Sequence, residues 1–178
     1  MAPPRYRFVT RWRLEATPDE IYDLLDKPED FVRWWPSVWL KVEPIAPADA
    51  HGLGRVVRFT TKGRLPYTLH WTARTIESDP PRRLAIAATG DFNGTGRWTI
   101  EADGADTVVD YVWEVEATKP ILRYGSFLFR PLFEANHRWA MARGEESLRR
   151  ELSRRRVSGC ADDLLVSARP AGPTSSAE

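Results

Sequence analysis

The chain has 178 residues, a net charge of +1, 42% hydrophobic residues, eight tryptophans and one cysteine. That length fits a single domain with a substantial core. The near-zero charge offers no field to gather nucleic acid, and no reader motif accompanies it. Cys160 alone excludes an internal disulfide, and no zinc-ligand spacing occurs. The first five residues lack the apolar segment of a secretory signal, and no run reaches 18 apolar residues. A soluble cytoplasmic protein without stable membrane insertion is therefore expected.

Residues 6–15 alternate, with Phe8, Trp12 and Leu14 on one face and Arg7, Arg11, Arg13 and Glu15 on the other, the pattern of a half-buried strand. Thr17-Pro18-Asp19-Glu20 then supplies a hydroxyl cap, a proline at the first helical position and a glutamate at the third. Ile21, Leu24 and Leu25 give this short helix an apolar face, and Asp26-Lys27-Pro28-Glu29 starts a second one ending near Trp34. Strand signals return over 39–45 and 55–62, where Val57, Phe59 and Thr61 share a face. A turn at Gly63-Arg64-Leu65-Pro66 leads to a strand whose Tyr67, Leu69, Trp71 and Ala73 face one way. Asp79-Pro80-Pro81 ends it, 84–89 forms another, and Asn93-Gly94 reads as a turn. Trp98, Ile100 and Ala102 alternate in the next strand; Asp103-Gly104 turns into 107–118, where Val109, Tyr111, Trp113 and Val115 align. About seven strands joined by short turns make a mostly antiparallel sheet.

Residues 119–130 hold too many apolar groups for a solvated loop, among them Ile121, Leu122, Tyr124 and Phe127 to Phe129, yet keep no clean period. They are either core lining with a lead-in helix or a hydrophobic lip over a cavity mouth. Residues 131–156 read as one amphipathic helix of about 25 residues, about 37 Å long. Phe133, His137, Ala140, Gly144 and Leu148 form its stripe, with Met141 and Leu152 on the shoulder. Arg149, Arg150, Arg154, Arg155 and Arg156, around Glu151, read as a solvated helix end suited to the dipole's negative pole. Residues 1–157 are taken as the domain, and 158–178 as a disordered tail.

Three stretches carry a resemblance: Ala16-Thr17-Pro18-Asp19-Glu20-Ile21-Tyr22-Asp23-Leu24-Leu25; Pro28-Glu29-Asp30-Phe31-Val32-Arg33-Trp34-Trp35-Pro36; and the final helix from Asn136-His137-Arg138-Trp139 to Leu152. With the order of strand, two short helices, six strands and a long C-terminal helix, the chain resembles the START-like (SRPBCC) superfamily. Within it, the likeness is to the polyketide cyclase/dehydrase-like and lipid-transport-like group. The resemblance covers roughly residues 5–155 and implies an α+β helix-grip fold, a curved antiparallel sheet around the last helix with a deep apolar cavity between them. No short catalytic signature unites the superfamily, so no catalytic set transfers, and no cofactor is expected.

The sequence supplies candidate lining residues of its own: Tyr67, Trp71, Trp98, Tyr111 and Trp113 from strand faces, and Phe133, Asn136, His137 and Met141 from the helix. Aromatics bring apolar area with a few polar handles; they also serve simply to fill a core. His137, near the middle of the stripe, could orient a ligand carbonyl or act as general acid or base if its pKa stays near working pH; a core histidine bonded to a carbonyl is the plainer reading. His70 falls on the outer face and His51 in a turn. Asp110 and Glu114 look like solvated charges, and Asp91 would reach the cavity mouth only through a bulge. The three histidines do not form a metal site.

The first reading is a domain that binds a small hydrophobic or aromatic ligand of polyketide, lipid or isoprenoid type, with Gly144 taken as a position from which a larger side chain would fill the cavity. The alternative is a polyketide aromatase/cyclase or dehydratase working by general acid/base chemistry there. A third is transient lipid pickup at a membrane surface through Phe127 to Phe129 and the basic helix end.

Overall fold

The computed structural model describes residues 5–64, 66–117 and 126–167. Strand β1 (Arg5–Leu14) is followed by helix α1 (Pro18–Leu25) and by a 3-10 turn (Pro28–Asp30) that runs into the short helix α2 (Phe31–Trp34). Six strands follow: β2 (Trp39–Ala46), β3 (Val56–Lys62), β4 (Thr68–Asp79), β5 (Arg83–Gly90), β6 (Phe92–Asp103) and β7 (Asp106–Ala117). Helix α3 (Ser126–Ser167) is the last described element; it starts before the expected Pro131 and runs past the expected end at Arg156, so 158–167, taken as tail, are helical. The strands form one antiparallel sheet in the order β1-β7-β6-β5-β4-β3-β2. The sheet curves around α3, with α1 and α2 bridging between its two edge strands.

Alternation decides which side chains enter the concave side. Trp12 and Leu14 from β1, Phe59 from β3, Trp71 from β4, Ile100 from β6 and Val109 to Val115 on every second residue of β7 are buried. The convex side is charged. The register sets Arg5, Arg7 and Arg11 opposite Glu116, Glu114 and Asp110, and each pair closes as an ion pair, at 2.5, 2.9 and 2.8 Å. Asp110 and Glu114 thus stand on the outward face as expected, and there they are cross-strand partners of β1. Exposed pairs of this kind add little energy; their value here is to favour one register over a one-residue slip.

One turn falls elsewhere than expected. Asn93-Gly94 lies inside β6, and the chain reverses at Gly90 and Asp91. Gly90 adopts φ +125°, and a Cβ there would come within 2.8 Å of the His70 carbonyl oxygen, so this position takes the bend that only glycine accepts. Asn93 contributes its side chain: Oδ1 accepts from the Gly90 amide at 3.3 Å.

The expected capping box of α1 is present, with Thr17 accepting from the Glu20 amide and Glu20 accepting from the Thr17 amide. Behind α1 and α2 lies the C-terminal half of α3, joined to them by charge. Glu151, only 4% exposed, receives two hydrogen bonds from Arg33 of α2 at 2.9 Å and further ones from Arg154 and Arg155. Arg155 also reaches Asp23 of α1 at 2.7 Å, and Arg156 donates to the Glu15 carbonyl at 2.6 Å. Within the basic run, Arg155 and Arg156 clasp α3 to the helical cap, while Arg149, Arg150 and Arg154 stay largely exposed, as expected of a solvated stretch. Hydrogen bonds from Arg154, then Arg33 and Arg155, hold the Glu151 carboxyl well below the usual carboxylate range despite its burial. A carboxylate with a depressed folded-state pKa stabilises the fold above its unfolded value of about 4.3 and progressively less as pH falls below it. Glu151→Gln should lower denaturant-measured stability clearly at pH 7, with the gap to wild type narrowing toward pH 3; an equal gap at both pH values would contradict the clasp.

Candidate functional site

Between the sheet and α3 lie two adjoining chambers. The inner one, ≈ 160 Å³, is walled by Trp71, Trp98, Tyr111 and Trp113 from the strands and by His137, Ala140 and Met141 from α3, with α1, α2 and β2 closing its end. The outer one, ≈ 140 Å³, is bounded by Tyr6 and Phe8 of β1, the β3–β4 connection with Tyr67, and Phe133, Asn136, His137 and Ala140. Val38, Thr61, Phe92, Trp113, His137 and Ala140 belong to both walls and mark the junction. All nine residues proposed from sequence line one chamber or the other. For scale, an apolar cavity of about 150 Å³ accommodates a benzene-sized guest.

The inner chamber is enclosed by a closed circuit of rings. Trp12 meets Trp35, Trp35 meets Trp39, Trp39 meets Trp71 and Trp71 meets Trp113, with centroids 5.6 to 6.1 Å apart and planes steeply inclined. Trp113 continues to Tyr111 at 6.0 Å, Tyr111 stacks on Trp98 at 3.9 Å, and Trp98 returns to Trp12 at 5.2 Å. Every member except Trp12 lines the chamber. Inclined contacts are the favoured geometry for aromatic quadrupoles, and here they brace a hoop instead of filling its centre.

His137 is fixed at the junction. Its ring stacks on Phe8 with centroids 4.4 Å apart, and Nε2 lies 3.3 Å from Thr10 Oγ1. Burial lowers its pKa to about 4, so the imidazole is neutral at physiological pH. In that form one ring nitrogen carries a hydrogen to donate and the other a lone pair to accept. Burial likewise pushes the Tyr111 and Tyr67 hydroxyls up, keeping both protonated. Asn136 is engaged structurally: Oδ1 accepts from the Arg64 amide at 2.8 Å, against Gly63, where a Cβ would come 2.6 Å from Asn136 Cγ.

Other expectations resolve differently. Gly144 faces Trp35, not the cavity; a Cβ would sit 2.6 Å from the indole Cη2, so a large residue there would dislodge the hoop instead of filling its interior. His70 is exposed on the sheet, and Asp91 is tied to it, its carboxylate accepting from the His70 amide at 2.7 Å instead of reaching the mouth. Residues 119–125, and the side chains of Phe127 to Phe129 and of Cys160, lie outside what is described, so the proposed lip does too. Sequence reasoning passed over Trp35, Trp39 and Phe92, and above all Arg55, which lines the inner chamber. Phe59 and Thr61 stood on a predicted inward face, and Arg55 shares their alternation at the head of the same stretch; its charge, not its position, pointed it to water. Among the described residues, no group of three or more His, Cys, Asp or Glu could hold a metal, and no helix is long and apolar enough to cross a membrane.

A sheet gripping a long helix around an apolar hollow defines a START-like, helix-grip domain. The family model for polyketide cyclases/dehydrases and lipid-transport proteins matches residues 5–153, and the chain belongs to that family. No curated protein matches the sequence. Among solved structures, a protein from Thermus thermophilus is 22% identical with a TM-score of 0.64, covering 82% of this chain and 97% of its own. The Zhui aromatase/cyclase from Streptomyces sp. R1128 is 18% identical with a TM-score of 0.67, over 85% of this chain and 96% of that one. A START superfamily protein from Mycobacterium smegmatis is 12% identical with a TM-score of 0.67, over 83% and 97%. These likenesses establish the fold.

The state of His137 is directly measurable. Its folded-state pKa lies below the unfolded value of about 6.5, so its contribution to stability is complete above pH 6.5 and declines as pH falls toward about 4. The His137 ring resonances should stay those of neutral imidazole from pH 8 to about pH 5; a midpoint near 6.5 would contradict its burial at the junction.

Proposed function

We propose that the protein binds a small, largely aromatic or otherwise hydrophobic molecule across the two chambers, as a carrier or binding domain, with residues 1–157 forming the binding unit. The observation that carries this reading is the unfilled hoop. A guest that occupies this ≈ 160 Å³ space contributes about 25 cal/mol per Å² of apolar surface withdrawn from water. Tyr67, Trp71, Trp98, Tyr111, Trp113, Phe133 and Met141 would supply the apolar contact. His137, oriented by Phe8 and Thr10, would offer its remaining ring nitrogen to a polar atom of the ligand.

Binding asks only for the apolar wall and its fixed polar groups, whereas acid/base catalysis would also need proton exchange by His137, Tyr67 or Tyr111 during a reaction. The aromatase/cyclase likeness in fold keeps a reactive polyketide among the reasonable ligands, bound and shaped by the cavity.

The test is a fluorescence titration with N-phenyl-1-naphthylamine, an uncharged apolar probe. Wild type should bind it saturably, with intrinsic tryptophan emission quenched, because Trp35, Trp39, Trp71, Trp98 and Trp113 face the chamber. Ala140 lines both chambers. Ala140→Phe should weaken probe binding by more than about tenfold without lowering the melting temperature, since the added ring enters existing space. Unchanged binding by a folded Ala140→Phe variant would overturn the proposal.

A further inference from the structure

Arg55 is the one charged residue on the described wall of the inner chamber. It immediately precedes β3, and its carbonyl accepts from the Thr75 amide at 2.9 Å, which fixes its backbone against β4. Its side chain is only 19% exposed, and its Nη2 donates to Asp26 Oδ1 at 2.5 Å. Asp26 is the C-cap residue of α1, where a negative charge opposes the helix dipole; the guanidinium offsets that conflict. A guanidinium has five donors in a planar fork, and the contact with Asp26 engages one of its nitrogens. Arg55 thus brings to the chamber wall a cation whose charge is already matched by Asp26. No second cation stands on its described wall to meet a second anion.

We propose that the Arg55–Asp26 pair is a charge filter: it makes the inner chamber select ligands that present an uncharged acceptor, such as a ketone or quinone oxygen, and reject carboxylates. The inference rests on the binding reading above and specifies its ligand class. An uncharged oxygen accepts from the unused guanidinium donors without disturbing the pair. A carboxylate would be stripped of water beside the Asp26 carboxylate, and burying a charge that lacks its own counter-charge is strongly unfavourable. Arg55 stands on the wall of the inner chamber and His137 at its junction with the outer one, so an aromatic body with two oxygens could meet a donor at each.

Three naphthalenes of matched shape test this by displacement of N-phenyl-1-naphthylamine: 2-acetylnaphthalene, 2-ethylnaphthalene and 2-naphthoate. For wild type, the ketone should bind about tenfold more tightly than the ethyl compound, as a hydrogen bond from a charged donor implies, and the carboxylate should be weakest. Arg55→Met should erase the ketone's advantage while leaving 2-ethylnaphthalene unchanged. Asp26→Asn, which releases the cation, should strengthen 2-naphthoate by at least about tenfold and place it above the ketone. If 2-naphthoate matches the ketone on wild type, or the ranking ignores both substitutions while 2-ethylnaphthalene still binds, the filter is wrong and the cavity reading stands. If none of the three binds wild type, both fall.

Discussion

The hoop of indole and phenol rings is the constraint on which the rest of the molecule depends. Aromatic side chains carry large area on only two rotatable bonds, and each inclined pair adds about 0.5–1.5 kcal/mol beyond simple burial. Set on strand positions that the backbone ladder holds rigid, such rings can brace one another around a gap that flexible aliphatic chains would collapse into. Every link except Tyr111–Trp113 joins different segments of the chain, so the circuit also holds the sheet, β2 and the connection after α2 at a fixed separation. The hollow follows from this bracing.

Helix α3 completes the enclosure by combining two different faces along its length. Near Phe133 to Met141 it lines the chambers; at Gly144 it touches Trp35 directly, and at Leu148 and Glu151 it is fully packed or clasped by arginines. The absence of a side chain at Gly144 lets the helix approach the hoop closely enough to close it. The cluster around Glu151 then ties the same helix to α1 and α2, whose residues cap the inner chamber. Packing, charge and cavity are therefore one mechanical unit, and the ends of that unit carry its polar groups: His137 at the junction and the Arg55–Asp26 pair beside α1.

Much of this was legible in the sequence because two periodicities do not mislead. Period two placed Trp71, Trp98, Tyr111 and Trp113 on the concave side, and a period near 3.6 put Phe133, His137 and Met141 on the buried stripe. What the periodicities lack is position along the stripe. They place Gly144 on the buried face without saying whether it meets space or an indole ring. Long-range pairing was equally hidden: Arg55 and Asp26, or Arg33 and Glu151, are far apart in the chain, and charge alone points each toward water. The turn at Gly90 was obscured by a stronger local signal, Asn93-Gly94, whose asparagine instead caps the bend from within the next strand.

The central claim is that the hoop surrounds open, ligand-accepting space. The most direct measurement is a two-dimensional NMR titration that follows the indole N–H resonances with a neutral naphthalene. Saturable one-to-one shifts are expected at Trp35, Trp39, Trp71, Trp98 and Trp113, with Trp139, which lines neither chamber, unmoved. Shifts that never saturate, or that spare the hoop, would mean that its centre is closed.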